Sequence, residues 1–90
     1  EKTIVSISTP LGKGAISIVR MSGEKALEIA SQLFSSKSLD YSNIEPRKMY
    51  LGNFKCGNID ERCLMVYFKG PMSFTGEDIV ELQIHGGEFL

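Results

Sequence analysis

Apolar and polar positions alternate along several short stretches of the chain and recur at helical spacing in one. Over residues 3–8 the alternation sets Val5 and Ile7 on one parity, which predicts a half-buried strand. Thr9-Pro10-Leu11-Gly12-Lys13-Gly14 interrupts it with one proline and two glycines, the composition of a tight loop. Strand character returns over residues 15–20 through Ile16, Ile18 and Val19. Side chains alternate faces along a strand, so Arg20 shares the parity of Ile16 and Ile18. That puts a charge on an apolar row. Ser22 is placed to cap a helix, its hydroxyl accepting from a first-turn amide. Ala26, Leu27, Ala30, Leu33 and Phe34 then recur at helical spacing, with Glu24, Lys25 and Glu28 left for solvent. The spacing predicts a helix over residues 23–34.

Residues 35–47 are polar, hold Pro46 and show no period, so they read as a surface connection. Residues 49–55 and 62–69 read as strands around Cys56-Gly57-Asn58-Ile59-Asp60-Glu61, and the Gly-Asn pair predicts an antiparallel hairpin. The loop Gly70-Pro71-Met72-Ser73-Phe74-Thr75-Gly76-Glu77-Asp78 is dense in turn formers. Ile79 to His85 is the last strand, with Val80, Leu82 and Ile84 on one face and Glu81, Gln83 and His85 on the other. The expected fold is α/β (α+β), a mixed sheet of about five strands with one main helix. One helix is too little to cover such a sheet. Either further polypeptide or a partner chain is expected on the uncovered face. The run of the last strand into Gly86-Gly87 reads as a cut in a longer parent.

Composition narrows the function classes. Ninety residues make one small domain, and 42% hydrophobic with 23% charged residues is the balance of an ordered globular protein. A formal net charge of −1 provides no field to hold nucleic acid through phosphate contacts alone. No apolar run approaches the roughly 18–20 residues that span a bilayer, so no membrane partner is expected. Two cysteines, Cys56 and Cys63, cannot form a multi-disulfide scaffold and read as reduced thiols of a cytoplasmic protein.

The candidate chemistry is sparse. Gly12-Lys13-Gly14 invites a phosphate-loop reading, but the spacing differs from G-x-x-x-x-G-K-[ST] and a strand follows it, which leaves a plain turn. His85 is the lone histidine, without the convergent ligands of a metal site or the nucleophile of a triad. Cys56 and Cys63 flank the hairpin turn, either facing each other or as ordinary buried or half-exposed thiols. Glu77 and Asp78, at a strand entry, read as solvated. Glu81 lies mid-strand, and a covered carboxylate there must find donors. Arg20 makes the matching demand from another strand. The two are either a structural ion pair or the poles of a ligand pocket.

Two longer motifs add to this. Residues 9–23, TPLGKGAISIVRMSG, closely resemble the opening of the MnmE (TrmE) family of tRNA modification GTPases. SFTGEDIVEL at residues 73–82, followed by His85-Gly86-Gly87, is similar to that family's second signature, in the right order and about fifty residues on. The resemblance implies a folate-binding, self-associating (homodimeric) N-terminal domain with a 5-formyl-tetrahydrofolate-type ligand. It implies a fold similar to the folate-binding part of aminomethyltransferases. It also implies a parent that uses GTP with Mg and a monovalent cation. That parent works with the FAD-dependent partner GidA (MnmG) on the wobble uridine of tRNA, a 5-carboxymethylaminomethyl-type modification.

The family's folate-contacting arginine and glutamate fall on Arg20 and Glu81. Gly12, Gly14, Ser73, Phe74, Thr75 and Gly76 would line the pocket mouth. No G-x-x-x-x-G-K-[ST] motif occurs in these ninety residues, so no catalytic residue and no GTP hydrolysis is expected of them. Two other readings stand beside this one: an assembly domain without folate, and a fragment of a folate-dependent aminomethyltransferase.

Overall fold

The computed structural model describes residues 2–8, 16–73 and 75–85. Six strands form one sheet: β1 (Ile4–Ser8), β2 (Ile16–Ser22), β3 (Phe34–Ser35), β4 (Tyr50–Cys56), β5 (Ile59–Phe68) and β6 (Ile79–His85). Their order is β1-β2-β6-β5-β4-β3. Every pairing is antiparallel, so the expected mixed sheet of about five strands is corrected to an antiparallel sheet of six. The extra strand, β3, is two residues long, too short to carry an alternation. It is held by its register with Phe54 and Asn53 and by the Lys55 N–H donating to the Leu33 carbonyl at 2.8 Å.

The helix α1 spans Ala26–Ser31, shorter at both ends than residues 23–34. At the front, Gly23 sits at φ 140° and donates its N–H to the Asp78 carbonyl at 2.9 Å, a tie that holds it out of the helix. At the back, the Leu33 N–H turns to the Ala30 carbonyl at 3.0 Å, and Phe34 joins the sheet. The Ser22 cap is also corrected. The Lys25 N–H finds the Thr3 hydroxyl at 3.1 Å, and Ser22 faces a different loop.

Period-two patterning decides which sheet face is covered. Val19 and Met21 of β2, Val80, Leu82 and Ile84 of β6, and Cys63, Met65 and Tyr67 of β5 share one face. Together with Ala26, Ala30, Phe34, Tyr50 and Phe54 they form the core under α1. Each large apolar side chain buried there contributes about 1.5–3 kcal/mol. The connection 35–47 is less superficial than its composition suggests. Leu39, Tyr41 and Ile44 pack on the core, and the Tyr41 hydroxyl donates to the Phe34 carbonyl at 2.7 Å. Tyr41–Asn43 makes a short 3-10 turn whose Ser42 N–H is accepted by Asp40 at 3.0 Å. Gly52 allows β3 its close approach, since a Cβ there would overlap the Ser35 carbonyl oxygen.

β1 departs from its expected half-burial. It is the sheet edge, α1 lies over β6, β2 and β3, and all five β1 residues are exposed. The antiparallel hairpin is as expected, with Gly57 and Asn58 turning between β4 and β5, but its turn is tighter: Cys56 belongs to β4 and Ile59 to Glu61 belong to β5. Its cysteines do not face each other. Cys56 pairs with Ile59 and is exposed, while Cys63 pairs with Gly52 and is buried. Burial pushes the Cys63 thiol up to about 12, as expected for an inert core sulfur.

Candidate functional site on the open sheet face

The second face of the sheet is not covered by α1, and its middle carries two charges. Arg20 of β2 and Glu81 of β6 are direct cross-strand partners. Arg20 Nη2 donates to Glu81 Oε2 at 2.7 Å, with Arg20 43% and Glu81 15% exposed. The strand parities set both charges on this face, and the register of β2 against β6 brings them together. Gln83, two residues along the same face, donates from Nε2 to Glu81 Oε1 at 3.3 Å. The row is flanked by Ser6 opposite Arg20 and Val66 opposite Glu81. A cavity of about 260 Å³ beside the guanidinium is lined by Ser6, Ser8 and Ile18 as well as Arg20.

The loop between β5 and β6 docks at one end of this row, and its turn chemistry explains how. Gly70 donates its N–H to Asp78 Oδ1 at 2.9 Å, and Ser73 Oγ donates to the Glu77 carbonyl. Gly76 takes φ 79°, a left-handed conformation that glycine adopts without strain. The loop is tied to β2 through Ser22, whose hydroxyl lies 3.0 Å from that of Thr75 and donates to Glu77 Oε1 at 3.3 Å. Ser22 and Arg20 are on the same face, one pleat apart. Ser73, Thr75 and Gly76 therefore stand in the loop that borders the charged row. Gly12, Gly14 and Phe74, expected at the same mouth, lie outside the described residues.

Other candidates separate from this constellation. His85 is exposed at the end of β6, opposite Ile16. Among the described residues no group of His, Cys, Asp or Glu converges to hold a metal ion. Glu77 is not merely solvated, because it accepts from Ser22. Sequence reasoning missed Ser22 and Gln83 as site residues. Gln83 was legible as a neighbour of Glu81 by parity, whereas the role of Ser22 depends on where a distant loop docks.

With this geometry established, comparison with known proteins is specific. A family profile described as GTP-binding protein TrmE N-terminus matches residues 3–90. A tRNA modification GTPase MnmE of Fervidobacterium nodosum is 45% identical over 87 residues, covering 94% of this chain and 19% of the relative. The protein of that name from Helicobacter pylori is 47% identical over 89 residues, 98% of this chain and 18% of its own length. A Campylobacter jejuni relative of the same name is 49% identical over 85 residues, 94% of this chain and 19% of its own. The chain thus spans less than a fifth of these relatives' length. No helix among the described residues is long and apolar enough to cross a membrane. Matched across nearly its whole length, the chain belongs to the TrmE N-terminal family.

Proposed function

We propose that this chain is the tetrahydrofolate-binding, self-associating module of a tRNA modification GTPase, with Arg20 and Glu81 as the poles of the folate site. The observation that carries the reading is the Arg20–Glu81 contact at 2.7 Å on a sheet face that α1 leaves open. The residues fit such a ligand. A carboxylate offers about four acceptor positions, and Arg20 and Gln83 engage Glu81 once at each oxygen. Glu81 therefore retains acceptor capacity on both oxygens for the adjacent ring N–H and amino group of a pterin. The Arg20 fork suits a carbonyl or carboxylate acceptor on the same ligand.

Self-association is supported by the apolar residues the chain leaves exposed, among them Ile4, Val5, Ile7, Ile16, Met49 and Leu51. GTP hydrolysis with Mg and a monovalent cation, action on tRNA with GidA (MnmG), and a cytoplasmic setting belong to the parent in this reading. The likeness to aminomethyltransferase folate domains belongs to it as well.

Thermal melts with and without 5-formyl-tetrahydrofolate test the reading. A ligand that binds only the folded state adds about 2.7 kcal/mol at a hundredfold excess over its Kd. The wild-type protein should gain accordingly, and Glu81→Ala should gain little. Equal gains in both, or none in either, would make Arg20 and Glu81 a structural pair of an assembly domain.

A further inference from the structure

A second constellation stands at the opposite edge of the sheet. A cavity of about 620 Å³ is lined by Ser35, Ser36, Lys37, Ser38, Asn53 and Arg62, with Leu51 and Gly52 completing it. It is distinct from the charged row. Arg62 lies four residues along β5 from Val66, the partner of Glu81, which is roughly 13 Å of strand. The geometry points to a binding site for a phosphate group.

The donor set carries the assignment. Neither Lys37 nor Arg62 makes an ion pair among the described residues. Among the described residues no carboxylate lines the cavity. The nearby acid, Asp60, is already engaged, accepting from Asn53 Nδ2 at 3.2 Å and facing Lys55 Nζ at 4.0 Å. Two cations beside the Ser35 hydroxyl are groups that position phosphate oxygens, while the Ser36 and Ser38 hydroxyls are engaged in holding the turn. Among the described residues the lining holds no aromatic platform for stacking a base, so contact is through phosphate.

The site is also held in shape. Ser36 Oγ donates to the Leu51 carbonyl at 2.7 Å and lies 3.2 Å from Ser38 Oγ, which fixes the serine turn onto β4. Gly52 lets the Ser35 backbone close against that strand. The net charge of −1 is thus unevenly spread, with two cations that make no ion pair among the described residues gathered at this edge.

Two sources supply a phosphate group: the phosphodiester backbone of an RNA, or a small free phosphate. The RNA source rests on the tRNA reading above, and the free phosphate does not. Amide chemical shifts of the full chain are to be followed with inorganic phosphate against chloride at equal ionic strength. In parallel, anisotropy of a labelled tRNA transcript is measured across a salt series. The proteins compared are the wild type, the charge-removing Lys37→Gln/Arg62→Gln double variant and the charge-keeping Lys37→Arg/Arg62→Lys variant.

An RNA site predicts about tenfold weaker tRNA binding by the charge-removing variant, a log–log salt slope smaller by about 2, and retention in the charge-keeping one. A small-phosphate site predicts shifts at residues 35–38 with phosphate alone, lost in the charge-removing variant. If phosphate moves none of these amides and the charge-removing variant keeps the tRNA affinity and slope, the assignment is overturned. If the wild type binds no tRNA, the tRNA reading is what fails, and the phosphate titration alone decides the site.

Discussion

The contact between Arg20 and Glu81 has an energy that follows from its surroundings. At 2.7 Å the gross attraction between unit charges is about 1.5 kcal/mol in bulk water and about 6 kcal/mol at an effective dielectric of 20. Arg20 remains 43% exposed, so its end of the pair is screened and already solvated. Glu81, 15% exposed, has lost most of its water and depends on Arg20 and Gln83 for replacement. Fixing two long side chains costs rotamer entropy. The net coupling therefore falls near 1 kcal/mol, at the upper end for exposed pairs and below the range for buried charged hydrogen bonds.

A double-mutant cycle of Arg20→Met and Glu81→Gln, followed by urea unfolding, reads this coupling directly. Arg20→Met alone should cost more than Glu81→Gln alone, because the glutamate left behind has lost most of its water whereas the arginine left behind retains access to it. On the proposed folate reading, saturating ligand should change the coupling, since its N–H groups draw on the same Glu81 carboxylate that Arg20 engages. A coupling below about 0.3 kcal/mol, or one above about 3 kcal/mol, would refute this account of a half-screened pair open to a ligand.

Three further outcomes follow from the packing. Gly52→Ala drives a Cβ into the Ser35 carbonyl and should cost about 1–3 kcal/mol, a fall in Tm of roughly 4–8 °C for each kcal/mol. An unchanged melt would mean that β3 does not sit against β4. Alkaline stability should fall between pH 9 and 12. The Cys63 thiol and the Tyr41 phenol are both raised by burial to about 12, from 9.0 and 10.0, so the unfolded chain releases those protons first. Their contribution is complete below about pH 9 and is lost as pH rises through the folded values, and Cys63→Ala should flatten the descent of Tm over that window. Ser17 is fully buried on the core face with no hydrogen-bond partner among the described residues, so Ser17→Ala should leave Tm unchanged or raise it. A loss above about 1 kcal/mol would mean that the hydroxyl is satisfied.

What the sequence disclosed and what it withheld divide along physical lines. Period-two alternation is local, so β2, β6 and the hairpin were legible, and with them the isolated parities of Arg20 and Glu81. Their meeting as direct partners required a register between strands sixty residues apart, which no local pattern encodes. The helix is shorter than its pattern predicts because Leu33 and Phe34, which fit a helical stripe, serve as the entry to β3. Ser22 has the chemistry of a helix cap, yet its hydroxyl turns to Thr75 and Glu77 once that loop docks. β1 alternates like a half-buried strand and is exposed because α1 does not reach the sheet edge. The Lys37–Arg62 cavity joins segments that chain order holds apart, and the near-neutral total charge concealed it.

The central claim is that Arg20 and Glu81 form a folate site. Isothermal calorimetry of 5-formyl-tetrahydrofolate against the intact protein and its Glu81→Ala variant tests it most directly. The account predicts a wild-type binding isotherm and an affinity lower by at least about tenfold in the variant, the 1.4 kcal/mol expected for losing a charged hydrogen bond. An unchanged affinity in a variant that melts as a folded protein would contradict it.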